Sequence, residues 1–153
     1  MVLQRVSQAA VSVDGREVSR IGAGYLLLVG VEDGDDPDIA RRMAAKVAAL
    51  RLFPGAQGRG FDVALADAGG EVLVVSQFTL MGDVRKGNRP SWAAAAAPEA
   101  AEPLVEGVCD ALGALGLAVS RGVFGAMMEV SLVNDGPVTL VLDSADVLGP
   151  RRR

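Results

Sequence analysis

The sequence contains no histidine and a single cysteine, Cys109. Without histidine, catalytic sites built on a Ser-His-Asp triad or a Cys-His pair are excluded, and so is the imidazole ligand on which zinc and iron sites usually depend. A single cysteine cannot form a disulfide within the chain. If the protein is an enzyme, its general base is a carboxylate, a lysine, the backbone or a group on the substrate. We expect no metal site and no cofactor.

The sequence also lacks an apolar run long enough to cross a bilayer. The longest near-continuous run, Ile21 to Val31, is about half the length that a membrane-spanning helix needs and is typical of a buried strand. The N-terminus has no separate apolar segment followed by a cleavage site. We therefore expect a cytoplasmic protein, mature as written, that makes no membrane contact.

Length and charge favour one domain without a general affinity for nucleic acid. The chain has 153 residues, of which 50 % are hydrophobic, and this suffices for one compact core. Its formal net charge of -4 argues against binding nucleic acid through bulk positive charge, although a local basic patch is compatible with it. We place the domain at residues 1–149 and a basic tail at residues 150–153.

Several segments are predicted as β-structure from their patterns. Alternating apolar and polar residues on both sides of Asp14-Gly15 predict a β-hairpin. The run that follows, from Ala23 to Val31, predicts a strand buried on both faces. A central strand is predicted from Glu71 to Leu80, and two closing strands near the C-terminus.

Two helices are predicted from apolar residues that recur every three or four positions. Asp36 is typical of a helix N-cap and Pro37 of the first helical position. A second helix is predicted from Pro98 or Glu102 to Leu115. The stripes expected to face the core are Ile39, Met43, Val47 and Leu50 on the first helix, and Leu104, Val108, Leu112 and Leu115 on the second. Since strands and helices are interspersed without a repeat or a linker, we predict a mixed α/β domain.

The first candidate site is SQFT, Ser76 to Thr79, where an apolar strand changes abruptly to polar residues. Functional residues are often found where a rigid element enters a loop. Thr79 is a possible nucleophile, although no histidine is present to activate it. On the pattern alone, a strand that simply enters a turn is the favoured interpretation.

The second candidate is NDGPVT, which begins at Asn134 and lies between two apolar runs. Hairpins are usually closed by Asn-Gly or Asp-Gly, but here a proline follows the glycine. The proline removes a backbone donor and makes a cis peptide plausible. A structural turn is the simpler interpretation. The alternative is that Gly136 and Pro137 present backbone carbonyls at a fixed angle to a ligand that glycine allows to come close.

The third candidate is a basic loop that contains Arg85, Lys86 and Arg89. These side chains could contact phosphates, and Trp92 after them could stack on a ligand or simply pack. A solvated loop explains the pattern equally well. Cys109, on the second predicted helix, is expected to be a buried apolar residue and not a nucleophile.

Taken together, these motifs resemble the D-aminoacyl-tRNA deacylase family of the D-tyrosyl-tRNA deacylase type. The resemblance covers nearly the whole chain, and the ordered pair SQFT and NDGPVT is its most specific part. The segments that carry it are LQRVSQAAVSV, GAGYLLLVGVEDGDD, RLF, GGEVLVVSQFTL, GNRPSW and FGAMMEVSLVNDGPVT.

The resemblance implies a homodimer of α/β chains, each with a curled, barrel-like sheet and two main helices. It implies an enzyme that proofreads translation by hydrolysing the ester between a D-amino acid and the 3′-terminal adenosine of tRNA. Such an enzyme spares L-aminoacyl-tRNA and also removes glycine from mischarged tRNA.

The resemblance also implies roles for individual residues. The SQFT residues would line the pocket, and the cis peptide Gly136-Pro137 of one subunit would enter the pocket of the other and be steadied by Arg5. The terminal ribose 2′-hydroxyl would help activate water, with backbone donors near Phe78 and Thr79. The full set of implied site residues is Ser76, Gln77, Phe78 and Thr79 for catalysis, Gly136, Pro137, Arg5, Asn134 and Met128 for substrate binding and chiral selection, and Arg85, Lys86 and Arg89 for tRNA contact.

Two other functions stay open at this point. One is a non-catalytic module that binds an RNA end through the basic loop. The other is a hydrolase of small esters or amides with Thr79 as the nucleophile.

Overall fold

The computed structural model describes residues 1–58 and 60–150. Apart from Pro150, the predicted basic tail therefore lies outside the described residues. In the described part, the strands are β1 (Val2–Val13), β2 (Arg16–Ile21), β3 (Gly24–Val29), β4 (Arg51–Phe53), β5 (Val63–Ala64), β6 (Glu71–Ser76), β7 (Ala118–Arg121) and β8 (Met128–Val141), and the helices are α1 (Pro37–Ala49), α2 (Pro98–Ala114) and α3 (Ser144–Leu148).

Six strands form one curled sheet. They lie in the order β2-β1-β3-β6-β7, and β8 pairs with β1. The β3–β6 and β6–β7 pairs are parallel, and β1 is antiparallel to each of its three partners. Since β2 also lies against β6 and β7, the sheet is nearly closed into a barrel. Strands β4 and β5 form a separate small sheet.

Each face of the sheet buries its own apolar cluster, which explains why β3 and β6 read as continuous apolar runs. Leu26, Leu73 and Val75 point into the barrel interior. Their neighbours Leu27 and Val74 point the other way, into a larger cluster with α1 and α2. The predicted mixed α/β fold is confirmed, with the short α3 as an addition that the sequence patterns did not predict.

The hairpin and the first helix are confirmed in detail. Asp14 and Gly15 connect β1 and β2 with φ values of 50° and 73°, the left-handed conformation that a two-residue hairpin loop requires. The Asp36 side chain caps α1 by accepting a hydrogen bond from the Ile39 amide, and Pro37 is its first residue. Leu50 is the C-cap of α1, just beyond its last helical residue.

The predicted stripe on α2 was partly wrong. Val108 and Leu112 are buried as expected, but Leu115 is exposed because α2 ends one residue before it. The buried positions Ala101, Val105 and Cys109 complete the face instead. In the described ranges, no helix is long and apolar enough to span a membrane.

Candidate active site

A cavity of about 690 Å³ lies beside the end of β6. Ser76, Gln77 and Phe78 line one side of it. Of the remaining lining residues that the structure describes, all are apolar or aromatic, and none carries a charge. The cavity therefore offers neither a carboxylate nor a lysine as a general base.

Strand β6 ends four residues earlier than predicted, and this early end shapes the cavity. The Gln77 amide donates to the Val29 carbonyl at 2.7 Å, and a 3₁₀ turn over Phe78–Met81 follows at once. The turn lies directly over Gly30, where an added Cβ would be 3.0 Å from the Gln77 carbonyl oxygen. Glycine at position 30 thus permits the close approach that places the SQFT residues at the cavity.

The start of the 3₁₀ turn holds free backbone donors. The first amides of a helical turn have no partner within that turn. No hydrogen bond described for residues 1–58 and 60–150 uses the amide of Phe78 or Thr79. The Thr79 hydroxyl accepts a hydrogen bond from the Gln77 side chain, and Thr79 is absent from the cavity lining. The geometry thus offers the backbone of this turn, more than the Thr79 hydroxyl, to a bound ligand.

An aromatic pair borders the same cavity. The rings of Phe78 and Trp92 meet edge to face with centroids 5.8 Å apart, and their side chains remain 60 % and 42 % exposed. Both rings line the cavity. Exposed rings of this kind are suited to stacking with a flat ligand.

The wall opposite β6 is made of alanines that the sequence analysis did not predict as site residues. Ala95, Ala96 and Ala97 line the cavity just before α2 begins. This segment is anchored to the chain just after β3, because the Ala96 amide donates to the Val31 carbonyl at 3.0 Å. The run of alanines in the sequence was a signal: small side chains in a loop leave room for a ligand without making polar contacts.

Met128, one of the predicted site residues, does line the cavity. Its sulfur accepts a hydrogen bond from the Val123 amide at 3.3 Å, and an added Cβ at Gly122 would be only 2.7 Å from that sulfur. The neighbouring Met127 is 90 % exposed at the edge of the cavity. Met128 is therefore fixed as part of the wall, and Met127 is free to meet a partner.

The segment NDGPVT is not a turn between two strands, as the simpler interpretation had it. It lies inside the single long strand β8. Between the pairs Gln4↔Thr139 and Val6↔Asn134, β8 advances five residues while β1 advances two. The extra residues form a bulge, which we call the DGPV bulge, residues 135–138. It contains the cis peptide Gly136-Pro137, and both of these residues are exposed.

Arg5 anchors the DGPV bulge to the body of the protein. It is buried to 8 % exposure, its Nε lies 2.8 Å from Asp135 Oδ2, and its Nη1 donates to the Leu52 carbonyl. The Phe53 ring lies under the guanidinium, with its centroid 5.7 Å from Cζ. A buried cation needs such partners, since without them its desolvation would be uncompensated. Arg5 thus links the bulge to β4.

The Asn134 side chain connects the two ends of the DGPV bulge. Its side-chain amide donates to the carbonyls of Arg5 at 2.9 Å and of Val138 at 3.1 Å. Asn134 therefore bonds backbone on both sides of the bulge, and it does not line the cavity.

The basic loop carries less free charge than its sequence suggests. Arg85 forms a two-point ion pair with Asp83, with N···O distances of 2.8 and 2.7 Å. Lys86 and Arg89 are exposed. Because Asp83 offsets one of the three cations, phosphate contact would depend on the other two. The acidic stretch before α1 caps that helix, and in the described ranges no group of acidic or thiol side chains is arranged to hold a metal ion.

Cys109 is a buried free thiol, as predicted, and burial raises its pKa to about 11. Because the thiolate is the reactive form, we expect the folded protein to react very slowly with a thiol reagent at pH 8. The measurement is labelling by a chromogenic disulfide before and after denaturation, with one thiol per chain expected after it. Rapid labelling of the folded protein would contradict this placement.

The residues predicted for catalysis and chiral selection thus fall into two groups in one chain. Ser76, Gln77, Phe78 and Met128 meet at the cavity, and Thr79 lies beside them. The DGPV bulge forms a second group with the residues that hold it, Arg5 and Asn134. Within the described residues, the bulge of a chain does not line the cavity of that chain.

The comparisons with known proteins each match nearly the whole length of the chain. Residues 2–143 match the family model described as D-Tyr-tRNA(Tyr) deacylase. The D-aminoacyl-tRNA deacylase of Roseiflexus castenholzii is 56% identical, over 99% of this chain and 96% of that protein. The protein of the same name from Thermomicrobium roseum is 57% identical, over 97% of this chain and 96% of that protein.

Two solved structures share the fold. One, titled c-Myc DNA Unwinding Element Binding Protein, superposes with a TM-score of 0.87 at 37% identity, over 93% of this chain and 96% of the other. The second, titled as a structural analysis of a probable eukaryotic D-amino acid tRNA deacylase, has a TM-score of 0.77 at 18% identity, over 91% and 95% of the two chains. With the family model matching nearly its full length, and with relatives that are more than half identical, the chain belongs to the D-Tyr-tRNA(Tyr) deacylase family.

Proposed function

We propose that this protein hydrolyses the ester between a D-amino acid and the 3′-terminal adenosine of tRNA, and so proofreads translation in the cytoplasm. Membership of the family supports the reaction, since the relatives are named D-aminoacyl-tRNA deacylases. The observation that carries the proposal is the cavity beside SQFT, which combines free backbone amides with the absence of charged side chains. Such a site suits a substrate that is already activated.

The reaction needs little acid–base chemistry from the protein. An aminoacyl ester has a good leaving group, so its hydrolysis requires a positioned water and a stabilised oxyanion. The amides of Phe78 and Thr79 are the donors proposed for the oxyanion. The vicinal 2′-hydroxyl of the terminal ribose takes the place of the missing general base and helps to activate the water. The cavity has room for the terminal adenosine against the rings of Phe78 and Trp92.

Chiral selection works by exclusion at the backbone of Gly136 and Pro137. The side chain of a D-amino acid points away from these carbonyls, and that of an L-amino acid points into them. Backbone atoms cannot change rotamer, so the rejection is rigid and largely independent of side-chain identity. Glycine has no side chain to exclude, and it is therefore removed as well.

Gly136 and Pro137, which we call the gate, act in the neighbouring subunit of a homodimer. Three features support this proposal. Gly136 and Pro137 are exposed and do not line the cavity of their own chain. Strand β8 is paired only with β1 in the described part of the chain, so its other edge is free. The same region exposes large apolar side chains, which a partner would cover: Met127, Leu132, Val133 and Val141.

A mixed dimer tests the exchange of gates between subunits. One chain carries Gly136→Ala, and the other carries Ala97→Trp, which fills the mouth of the cavity from an exposed position. Each homodimer should be inactive, but the mixed dimer keeps one intact cavity facing one intact gate. We expect up to about half of the wild-type activity per dimer. The measurement is deacylation by co-expressed, doubly tagged dimers, and complete inactivity would show that each gate serves its own chain.

Incubation of D-Tyr-tRNA with the purified protein tests the proposed reaction. The expected result is catalytic release of D-tyrosine with many turnovers per chain, and glycyl-tRNA should also be deacylated. Binding without release would favour an RNA-end binding module, for which Lys86 and Arg89 supply the free positive charge. A covalent adduct at Thr79 would favour the small-ester hydrolase. Either of these results would overturn the proposal.

A further inference from the structure

We propose that Asp135 is a positioning residue for chiral selection, and this rests on the proposed function. Asp135 directly precedes Gly136 in the DGPV bulge, and its carboxylate is the one anionic partner of Arg5 in the described structure. Through that contact it fixes the height and tilt of the Gly136 and Pro137 carbonyls relative to the sheet.

The ends and the middle of the DGPV bulge are held by different means. On the Asn134 side and at Val138, hydrogen bonds from the Asn134 side chain tie the backbone down, and Val138 itself is buried. The stretch between them, which carries Gly136, makes no ladder pair with β1. In this stretch, the contact that ties a side chain to the body of the protein is the ion pair between Asp135 and Arg5.

Arg5 is a rigid anchor for this contact. Its guanidinium is bonded to the Leu52 carbonyl and lies on the Phe53 ring, which in turn stacks on Tyr25 with centroids 5.5 Å apart. Tyr25 is fully buried. A guanidinium held in this way has no freedom to follow a mobile loop, so the bulge must adapt to Arg5 and not the reverse.

The consequence concerns selectivity more than rate. The proposed oxyanion donors lie on the turn after β6, and Asp135 is not among the residues that line the cavity. Without the ion pair to Arg5, Gly136 and Pro137 could move when an L-side chain is present. L-esters would then reach the position at which water attacks. We therefore expect loss of the Asp135 charge to raise the ratio of L- to D-substrate hydrolysis.

The test compares Asp135→Asn with Asp38→Asn. Both carboxylates are half exposed, at 50% and 51%, and both are paired with arginine, but Asp38 lies on α1 with Arg41 and Arg42. The values of kcat/KM for L-Tyr-tRNA and D-Tyr-tRNA are measured for each variant. For Asp135→Asn we expect the L/D ratio to rise about tenfold, because the ion pair with the buried Arg5 is lost. For Asp38→Asn we expect no change in the ratio.

Two further variants separate positioning from general damage. Asp135→Glu keeps the charge and should retain most of the discrimination. If Asp135 had only a structural role, Asp135→Asn would lower thermal stability and leave the L/D ratio unchanged. In Arg5→Met combined with Asp135→Asn, the L/D ratio should equal that of Arg5→Met alone, because each change removes the same ion pair. An unchanged L/D ratio in Asp135→Asn overturns the inference while leaving the proposed reaction intact. Absence of D-Tyr-tRNA hydrolysis by the wild type refutes the proposed function itself.

Discussion

Replacement of Gly136 by alanine is expected to lower kcat/KM for D-Tyr-tRNA by about 100-fold or more, without unfolding the protein. The effect follows from where the new methyl group would lie. In its own chain, a Cβ at position 136 meets only the Asn134 side-chain oxygen, at 3.6 Å, which is an ordinary contact. If the bulge enters the partner's cavity, the same methyl group stands between the gate and the substrate. A displacement of about 1 Å at a reacting centre costs on the order of 100-fold.

Gly113→Ala is the matched control for that experiment. Gly113 lies on α2 with open space where its Cβ would be. Alanine there should leave activity unchanged and raise the free energy of unfolding slightly, by up to about 1 kcal/mol, because alanine is the better helix former. Full activity of Gly136→Ala, with wild-type stability, would show that nothing approaches this glycine closely during catalysis.

The second large effect is expected from a change in the substrate and not from a substitution in the protein. With tRNA that ends in 2′-deoxyadenosine and carries D-tyrosine on the 3′-hydroxyl, hydrolysis should slow by about 100-fold, the lower range for the loss of a general base. Thr79→Ala should retain activity to within about tenfold, since the Thr79 hydroxyl is already engaged by the Gln77 side chain and does not line the cavity. Single-turnover deacylation at saturating enzyme measures the chemical step for both cases.

Thr79→Ser gives the reference for that comparison. It keeps a hydroxyl and removes only a methyl group, so it should resemble the wild type whether or not the hydroxyl reacts. If Thr79→Ala is inactive, Thr79→Ser is active, and the 2′-deoxy substrate is hydrolysed normally, then Thr79 supplies the nucleophile. That outcome would replace the RNA-assisted mechanism.

Elements governed by local chemistry were predictable from the sequence. Asp14-Gly15 requires left-handed backbone, and Asp36-Pro37 begins a helix, whatever the rest of the chain does. The burial of β3 followed from its unbroken apolar run. The absence of histidine excluded an imidazole base but left a carboxylate or a lysine open, and only the described cavity lining, which contains neither, narrows that choice.

Features set by pairing over long distances in the sequence were not predictable. Proline after glycine indicated a turn, yet residues 135–138 form a bulge because β1 runs continuously beside both halves of β8. The role of Asn134 follows from its pairing with Val6, which brings its side-chain amide to the Arg5 carbonyl, and no local pattern records this. The early end of β6 depends on contact with Gly30, some distance earlier in the chain. In each case a segment distant in the sequence determines the conformation, and local propensity does not.

We propose that the protein hydrolyses D-aminoacyl-tRNA and rejects the L-form by steric exclusion at its backbone. The most direct test is the ratio of kcat/KM for D-Tyr-tRNA to that for L-Tyr-tRNA, measured with the wild-type protein on one preparation of tRNA. We expect a ratio of about 1,000 or more, because a rigid clash costs several kcal/mol. A ratio near one, with both esters hydrolysed, would contradict the chiral gate.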